Sequence, residues 1–389
     1  MARQPRIAER MKAVQPFHVM ALLARARALE AEGRDIVHME IGEPDFETPA
    51  PIVEAGIEAL RSGKHHYTPA TGLPELRRAI SAFYQQHYGV AVDPGRIVIT
   101  PGSSGALQLL MAVLIDPGKQ VLMADPGYPC NRNFVRLVEG EVMSIPVGAD
   151  TGYQLNVRHL QQNWKQSSEA VLIASPANPT GTLIPVDDMN AMAQFVAQQN
   201  GHLIVDEIYH GLTYGVKEQT ALTISNELFV VNSFSKYFGM TGWRVGWLVA
   251  PEAYVEALDR VAQNIFLAAS TPAQYAALAA FRPETIEILE QRRQTFQQRR
   301  DYLLPALRKL GFDIPVTPQG AFYLYANCKH FTDDSYTFCI ELLDQAGVAV
   351  TPGKDFGHNQ AEQHLRFAYT TSLERLEEGV ARLASFLGR

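Results

Sequence analysis

Lys236 stands in the stretch Ser233-Phe234-Ser235-Lys236-Tyr237-Phe238-Gly239, directly behind an apolar run that reads as a buried strand. An amine at such a strand end is partly desolvated. That lowers its pKa and favours the neutral nucleophile that Schiff-base chemistry requires. Lysine is also scarce in this chain, with nine against 25 arginines. Taken alone, a lysine at a strand end more often snorkels towards solvent. Asp206 closes a second apolar run, His202–Asp206, where an unpaired carboxylate is costly to bury and calls for a cationic partner. Arg366 lies in the apolar stretch His364–Tyr369, and a guanidinium there needs an anion. Gly102-Ser103-Ser104-Gly105 follows a strand and opens a helix expected over Ala106–Leu114. Small residues at a helix N-terminus let backbone N–H groups approach an anion, which the helix dipole also favours.

Something must hold these groups, and the chain supplies a repeating pattern. From Arg96 to about Ala250, short apolar runs alternate with longer segments of helical period; the runs are Ile97–Thr100, Gln120–Asp125, Ala170–Ser175, His202–Asp206, Leu228–Ser233 and Val245–Ala250. Several are too continuously apolar for a sheet with one wet face, so they read as central strands covered on both sides. Each ends in a cluster of small or polar residues, where open α/β sheets build their sites. A charged helix is expected from Pro283 to Leu310, with Arg292, Arg293, Arg299 and Arg300 on a solvated face. Beyond it, Ala321–Asn327, Val348–Thr351 and His364–Tyr369 read as strands, Tyr336–Gln345 as a helix, and Leu373 opens a final amphipathic helix. The division expected is an N-terminal segment 1–45 packed with a small α+β domain 286–389, and a large α/β domain 46–285. The N-terminal segment carries a helix over Phe17–Glu32.

The 389 residues are 47% apolar and 19% charged, a folding composition that excludes intrinsic disorder. The net charge of −7 without a long basic run gives nucleic-acid binding no electrostatic support. No apolar run reaches membrane-spanning length, and the first residues lack the apolar core of a signal peptide. Cys130, Cys328 and Cys339 form no CxxC pair, which suits a reducing, cytoplasmic setting. His65, His66, His358 and His364 have no partners at metal-ligand spacing, so no metal is expected. GxGxxG and GxSxG are both absent.

The lysine stretch, together with Ala177-Asn178-Pro179-Thr180-Gly181, Asp206-Glu207-Ile208-Tyr209, Ile41-Gly42-Glu43-Pro44 and Arg366, resembles the class I/II pyridoxal-phosphate aminotransferases of fold type I. The parts occur in family order, 28 residues from Asn178 to Asp206, 30 from there to Lys236 and 130 more to Arg366. The resemblance implies a large domain with a mainly parallel sheet covered by helices, plus a smaller α+β domain. It implies pyridoxal 5′-phosphate held covalently by Lys236, which then carries the proton between the substrate Cα and the cofactor. Asp206 would keep the pyridine nitrogen protonated. Asn178 and Tyr209 would donate to the ring's 3-hydroxyl oxygen, and Tyr128 would stack on the ring. Ser103, Ser104 and Gly105, closed by Ser233, Ser235 and Arg244, would form the phosphate cup. Arg366 and Asn178 would receive the substrate α-carboxylate, with Gly42 letting the N-terminal segment lie against it. Tyr67 would reach the neighbouring subunit's site, which implies a homodimer.

The expected reaction is ping-pong exchange of an amino group between an L-amino acid and a 2-oxo acid. C–S β-lyases and related enzymes on the same fold share these motifs and are the rival reading. A cofactor-binding transcription regulator would need a basic recognition helix, which the roughly 40 residues before Gly42 do not contain. Dicarboxylate donors need a second cation. Ser104 occupies a position where some aspartate-specific relatives carry lysine, and Gln263–Leu267 is apolar, so alanine, aromatic or other apolar donors are favoured.

Overall fold

In the computed structural model, which describes residues 6–389, the alternating apolar runs form one twisted seven-stranded sheet. The strands, in chain order, are β1 (Val37–His38), β2 (Ile97–Thr100), β3 (Gln120–Asp125), β4 (Glu141–Pro146), β5 (Ser168–Ala174), β6 (His202–Asp206), β7 (Phe229–Ser233), β8 (Gly246–Val249), β9 (Tyr323–Asn327), β10 (Val348–Ala349), β11 (Thr351–Pro352) and β12 (His364–Ala368). The large sheet runs β2-β8-β7-β6-β5-β3-β4, and only β8 opposes the common direction. Every residue of β2, β7 and β8 is buried, because helices cover both faces. Trp247 of β8 fills the core beneath the helix Pro74–Tyr88 and donates its indole N–H to Tyr84 at 3.2 Å.

The edge strand β4 escaped the sequence reading. β4 pairs in parallel with β3 at the sheet edge and carries Glu141, Ser144 and Pro146 on a half-wet surface, so its pattern is polar. The helix expected from Ala106 begins at Gly102, placing Ser103 and Ser104 in its first turn. Val348–Thr351 splits in two: β10 pairs in parallel with β1, while β11 joins the antiparallel sheet β11-β12-β9. The segment read as a helix over Tyr336–Gln345 is α-helical over Ser335–Glu341 and continues as a π-turn to Ala346.

The long helix spans Pro283–Lys309, and here the expectation for its arginines is corrected. Arg299 and Arg300 are buried. Arg299 makes a bidentate pair with Asp45 at 2.7 and 2.8 Å, its guanidinium over Phe46. Arg300 donates to the Pro318 carbonyl at 2.9 Å and lies over Tyr214. Both side chains face the body of the protein because anionic and carbonyl partners from distant segments replace their water. Arg292 and Arg293, further up the helix, remain partly exposed. Among the described residues, no helix is long and apolar enough to cross a membrane. No group of three or more His, Cys, Asp or Glu among them could hold a metal ion. The first five residues of the expected N-terminal segment lie outside the described residues.

Candidate active site

The carboxyl ends of β6 and β7, the first turn of the helix Gly102–Leu114 and the three-stranded sheet meet around a cavity of about 380 Å³. Gly42, Ser103, Ser104, Tyr128, Asn178, Asp206, Tyr209, Ser235, Lys236, Arg244 and Arg366 all line it. Residues spread over more than 300 positions thus converge on one space. Gly105 and Ser233 sit behind that wall. Ser233 is buried and hydrogen-bonds the Ser235 hydroxyl at 2.9 Å, so it orients Ser235 rather than facing the cavity. Tyr67 is 83% exposed and away from the cavity.

Lys236 Nζ donates to the Gly42 carbonyl at 2.7 Å. Burial lowers its pKa from 10.5 to about 8; Glu43 opposes the shift, while Arg366 and Arg244 add to it. At Gly42 a Cβ would fall 2.3 Å from the Tyr323 hydroxyl oxygen, so the N-terminal segment passes this closely only as glycine. Asp206, at the end of β6, accepts from the Ile208 N–H at 3.0 Å. Burial pushes its pKa up from 3.8 to about 7; the Ile208 N–H counters this and Glu207 reinforces it. A buried carboxylate in that condition is an anion site short of its cation.

Arg366 is buried, and all its partners are neutral oxygens. Nη1 donates to Asn178 Oδ1 at 3.0 Å, and Nη2 to the Glu40 carbonyl at 2.7 Å and Thr351 Oγ1 at 3.2 Å. Its guanidinium stacks 4.3 Å from the Tyr323 ring and 4.9 Å from Phe356, and its Nε is left without a partner. An arginine that served only as a structural ion pair would already hold a carboxylate; this one has its charge free for an anion. Arg244 adopts φ +55, unusual for a bulky residue, and donates to the Thr241 carbonyl at 3.0 Å. Burial raises the Tyr128 and Tyr209 phenols, which stay protonated as donors.

Several lining residues had no sequence signal. Tyr323 reads as an apolar strand residue, yet its hydroxyl lies 2.9 Å from that of Tyr209. Phe17, Val19, Met20 and Leu23, at the start of the helix His18–Ala31, roof the cavity with apolar surface. That helix buries only Leu22 and Ala26.

The donor set suits pyridoxal 5′-phosphate. It offers a desolvated amine, an unpaired buried carboxylate for a pyridinium, N–H groups of a helix first turn with Ser103, Ser104 and Ser235 for a phosphate, and phenols near both.

Comparison with known proteins agrees. The family model for aminotransferase class I and II matches residues 34–383. The chain is 39% identical to valine–pyruvate aminotransferase of Mycobacterium tuberculosis, over 96% of this chain and 97% of that one. It is 36% identical to (5-formylfuran-3-yl)methyl phosphate transaminase of Methanocaldococcus jannaschii, over 98% and 100%. Among solved structures, an aminotransferase from Mycobacterium tuberculosis superposes with a TM-score of 0.95 at 39% identity, covering 99% of this chain and 100% of that one. Thermus thermophilus aspartate aminotransferase with maleate gives 0.92 at 32%, covering 98% and 100%.

Proposed function

This chain belongs to the class I and II aminotransferases, pyridoxal-phosphate-dependent enzymes of fold type I, and we propose that its amino donors are neutral L-amino acids. One observation carries that choice. The cations lining the cavity are Lys236, Arg244 and Arg366, each with a task of its own, and Phe17, Val19, Met20, Leu23 and Ile41 add an apolar face beside Glu43 and Thr241. Among the described residues, no further lysine or arginine lines it to receive a distal carboxylate. The named activity of the valine–pyruvate relative points the same way. Alanine and valine should therefore exceed aspartate in kcat/KM with pyruvate or 2-oxoglutarate as acceptor. A tenfold preference for aspartate would overturn the reading.

In this reading each side chain has a defined duty. Arg366 and Asn178 hold the donor's α-carboxylate, orienting its Cα toward Lys236. Lys236, in its neutral form, takes the proton from Cα and would hand it, on the same face, to the cofactor carbon bound to the transferred nitrogen. The cofactor, when bound, supplies the electron sink that makes that proton removable. Asp206 keeps the proton on the ring nitrogen, and Tyr209 with Asn178 donates towards the 3-hydroxyl oxygen. Ser103, Ser104, Ser235 and Arg244 grip the phosphate, with Ser233 fixing Ser235. Tyr128 covers the ring. The roof helix lays apolar surface over the cavity. One half-reaction takes up one water and releases the oxo acid of the donor, leaving its nitrogen behind; a second oxo acid then runs the same steps backwards and gives the water back.

Replacing Arg366 with leucine should lower kcat/KM for amino donors by ~10²–10³-fold, the cost of losing one partner of a buried charged fork. Cofactor absorbance should be unchanged. Lysine should not restore the loss, because an ammonium cannot present two parallel donors. Steady-state kinetics on both variants decide it.

The site is also proposed to be completed by a second copy. Tyr67 is the supporting residue, a tyrosine that is 83% exposed and outside the cavity lining of its own subunit. Sedimentation should show a dimer, and a fully active monomer would remove the proposal. Residues 46–285 and 286–389 are proposed as the large and small domains, with the segment up to residue 45 joined to the small one. The β1–β10 ladder and the Asp355 cap on the roof helix support that last assignment. Three free cysteines fit a cytoplasmic setting.

A further inference from the structure

The stretch Asp355–Asn359 holds three separate parts of the site at once. The Asp355 carboxylate accepts from the backbone N–H groups of His18 and Val19 at 2.7 and 2.9 Å, fixing the roof helix. Phe356 lies under the Arg366 guanidinium, and its carbonyl accepts from Gly127 N at 2.8 Å and from Arg132. Gly357–Asn359 then wraps the carboxylate of Asp125, the last residue of β3. His358 N reaches its two oxygens at 3.1 and 3.0 Å, and Asn359 N reaches one at 3.3 Å. Asn359 Nδ2 donates to the carbonyls of Val147 at 3.0 Å and Asp125 at 3.4 Å. The approach is so close that a Cβ on residue 357 would lie 1.7 Å from Asp125 Oδ1.

Asp125 is buried and stands three residues before Tyr128. Its carboxylate is the acceptor for part-buried N–H groups more than 230 residues away, and without it those donors would lose a charged acceptor. Local structure does not require this. β3 is already paired on both sides, by β4 and β5, and the helix Pro129–Leu137 starts on its own Pro129. What the contact does join is the strip bearing Phe356, beneath the carboxylate-binding arginine, to the strip bearing Tyr128.

We propose that Asp125 is a positioning residue that couples the Arg366 fork to the Tyr128 loop. A carboxylate in the fork fixes Phe356 and the stretch after it, and the Asp125 contact passes that constraint to the residue covering the cofactor ring. The proposal rests on the roles given above to Arg366 and Tyr128. Coupling of this kind is reciprocal: carboxylate and cofactor must each raise the other's affinity by the same factor.

The test is a titration of cofactor-free protein with pyridoxal 5′-phosphate, followed by absorbance, without and with saturating isovalerate. Isovalerate carries the carboxylate but no amino group, so no turnover intervenes. In the wild type it should lower the apparent cofactor Kd at least fivefold, within the ~5–150-fold range usual for coupled sites. In Asp125→Ala the factor should fall below twofold, while isovalerate still competes with an amino donor. Asp125→Asn, which keeps one acceptor oxygen, should lie between. An unchanged factor in Asp125→Ala, or no coupling in the wild type, overturns the proposal. If Asp125→Ala does not fold, Asn359→Ala removes only the two side-chain amide bonds and should still reduce the factor; an unchanged value there overturns it equally. Isovalerate that binds the Arg366→Leu variant as tightly as the wild type would overturn the arginine's assignment, and the coupling with it.

Discussion

Lys236→Ala is expected to reduce transamination by at least ~10⁴-fold, the upper end of what a positioned acid–base group contributes, because the same residue is also proposed to anchor the cofactor. No neighbour can stand in. The other cations lining the cavity are arginines, and Tyr128 and Tyr209 are pushed further from ionisation by burial. The variant should fold and still hold the cofactor noncovalently through the phosphate cup. Borohydride treatment followed by mass spectrometry separates the two states: the wild-type chain should gain the cofactor's mass and the variant should not. Retention of more than a hundredth of wild-type turnover would refute the role. The pH dependence has a definite sign. With burial drawing the amine down to about 8, the neutral form grows as pH rises through that value. Loading of cofactor-free protein should accelerate from pH 6.5 to 8.5 and level off above 9.

Asp206→Asn should cost on the order of 10³-fold in turnover, since breaking a buried charge pair from one side typically costs ~3–5 kcal/mol. Cofactor affinity should weaken too. A second signature appears without cofactor. Burial raises this carboxyl from 3.8 to about 7, so between those values the folded chain binds a proton that the unfolded chain does not. A raised carboxyl thus favours the fold at low pH and loses that contribution as pH climbs through about 7. The melting temperature of cofactor-free wild type should therefore fall more between pH 5 and 8 than that of Asp206→Asn, and added cofactor should abolish the difference. Equal losses in the two proteins would show that the carboxylate already has a cationic partner.

What the sequence makes legible is the set of strand ends. Asp206 and Lys236 each follow an apolar run too continuous for a wet sheet, and the small-residue clusters after those runs mark where the cavity opens. What it hides depends on partners far along the chain. Tyr323 looks like core until its hydroxyl meets that of Tyr209, 114 residues earlier. Arg299 looks like a solvated helix face because Asp45 lies 254 residues away, beyond any local periodicity. β4 is missed for a different reason: at a sheet edge, half its side chains meet water, so the apolar signal is diluted. The roof is invisible as a roof, since Phe17 to Leu23 carries no regular amphipathic stripe and its function lies in what it covers.

That roof has a consequence for how such an enzyme changes over generations. Its helix buries only two residues in the core, while Met20 is more than half exposed. Substitutions on a face so lightly committed to the core fall among those that shift stability little. The residues proposed to grip the cofactor sit instead at the ends of fully buried strands, where most changes are penalised. Inheritance can thus try new shapes against the donor side chain on one expendable surface, generation by generation, without risking the chemistry underneath.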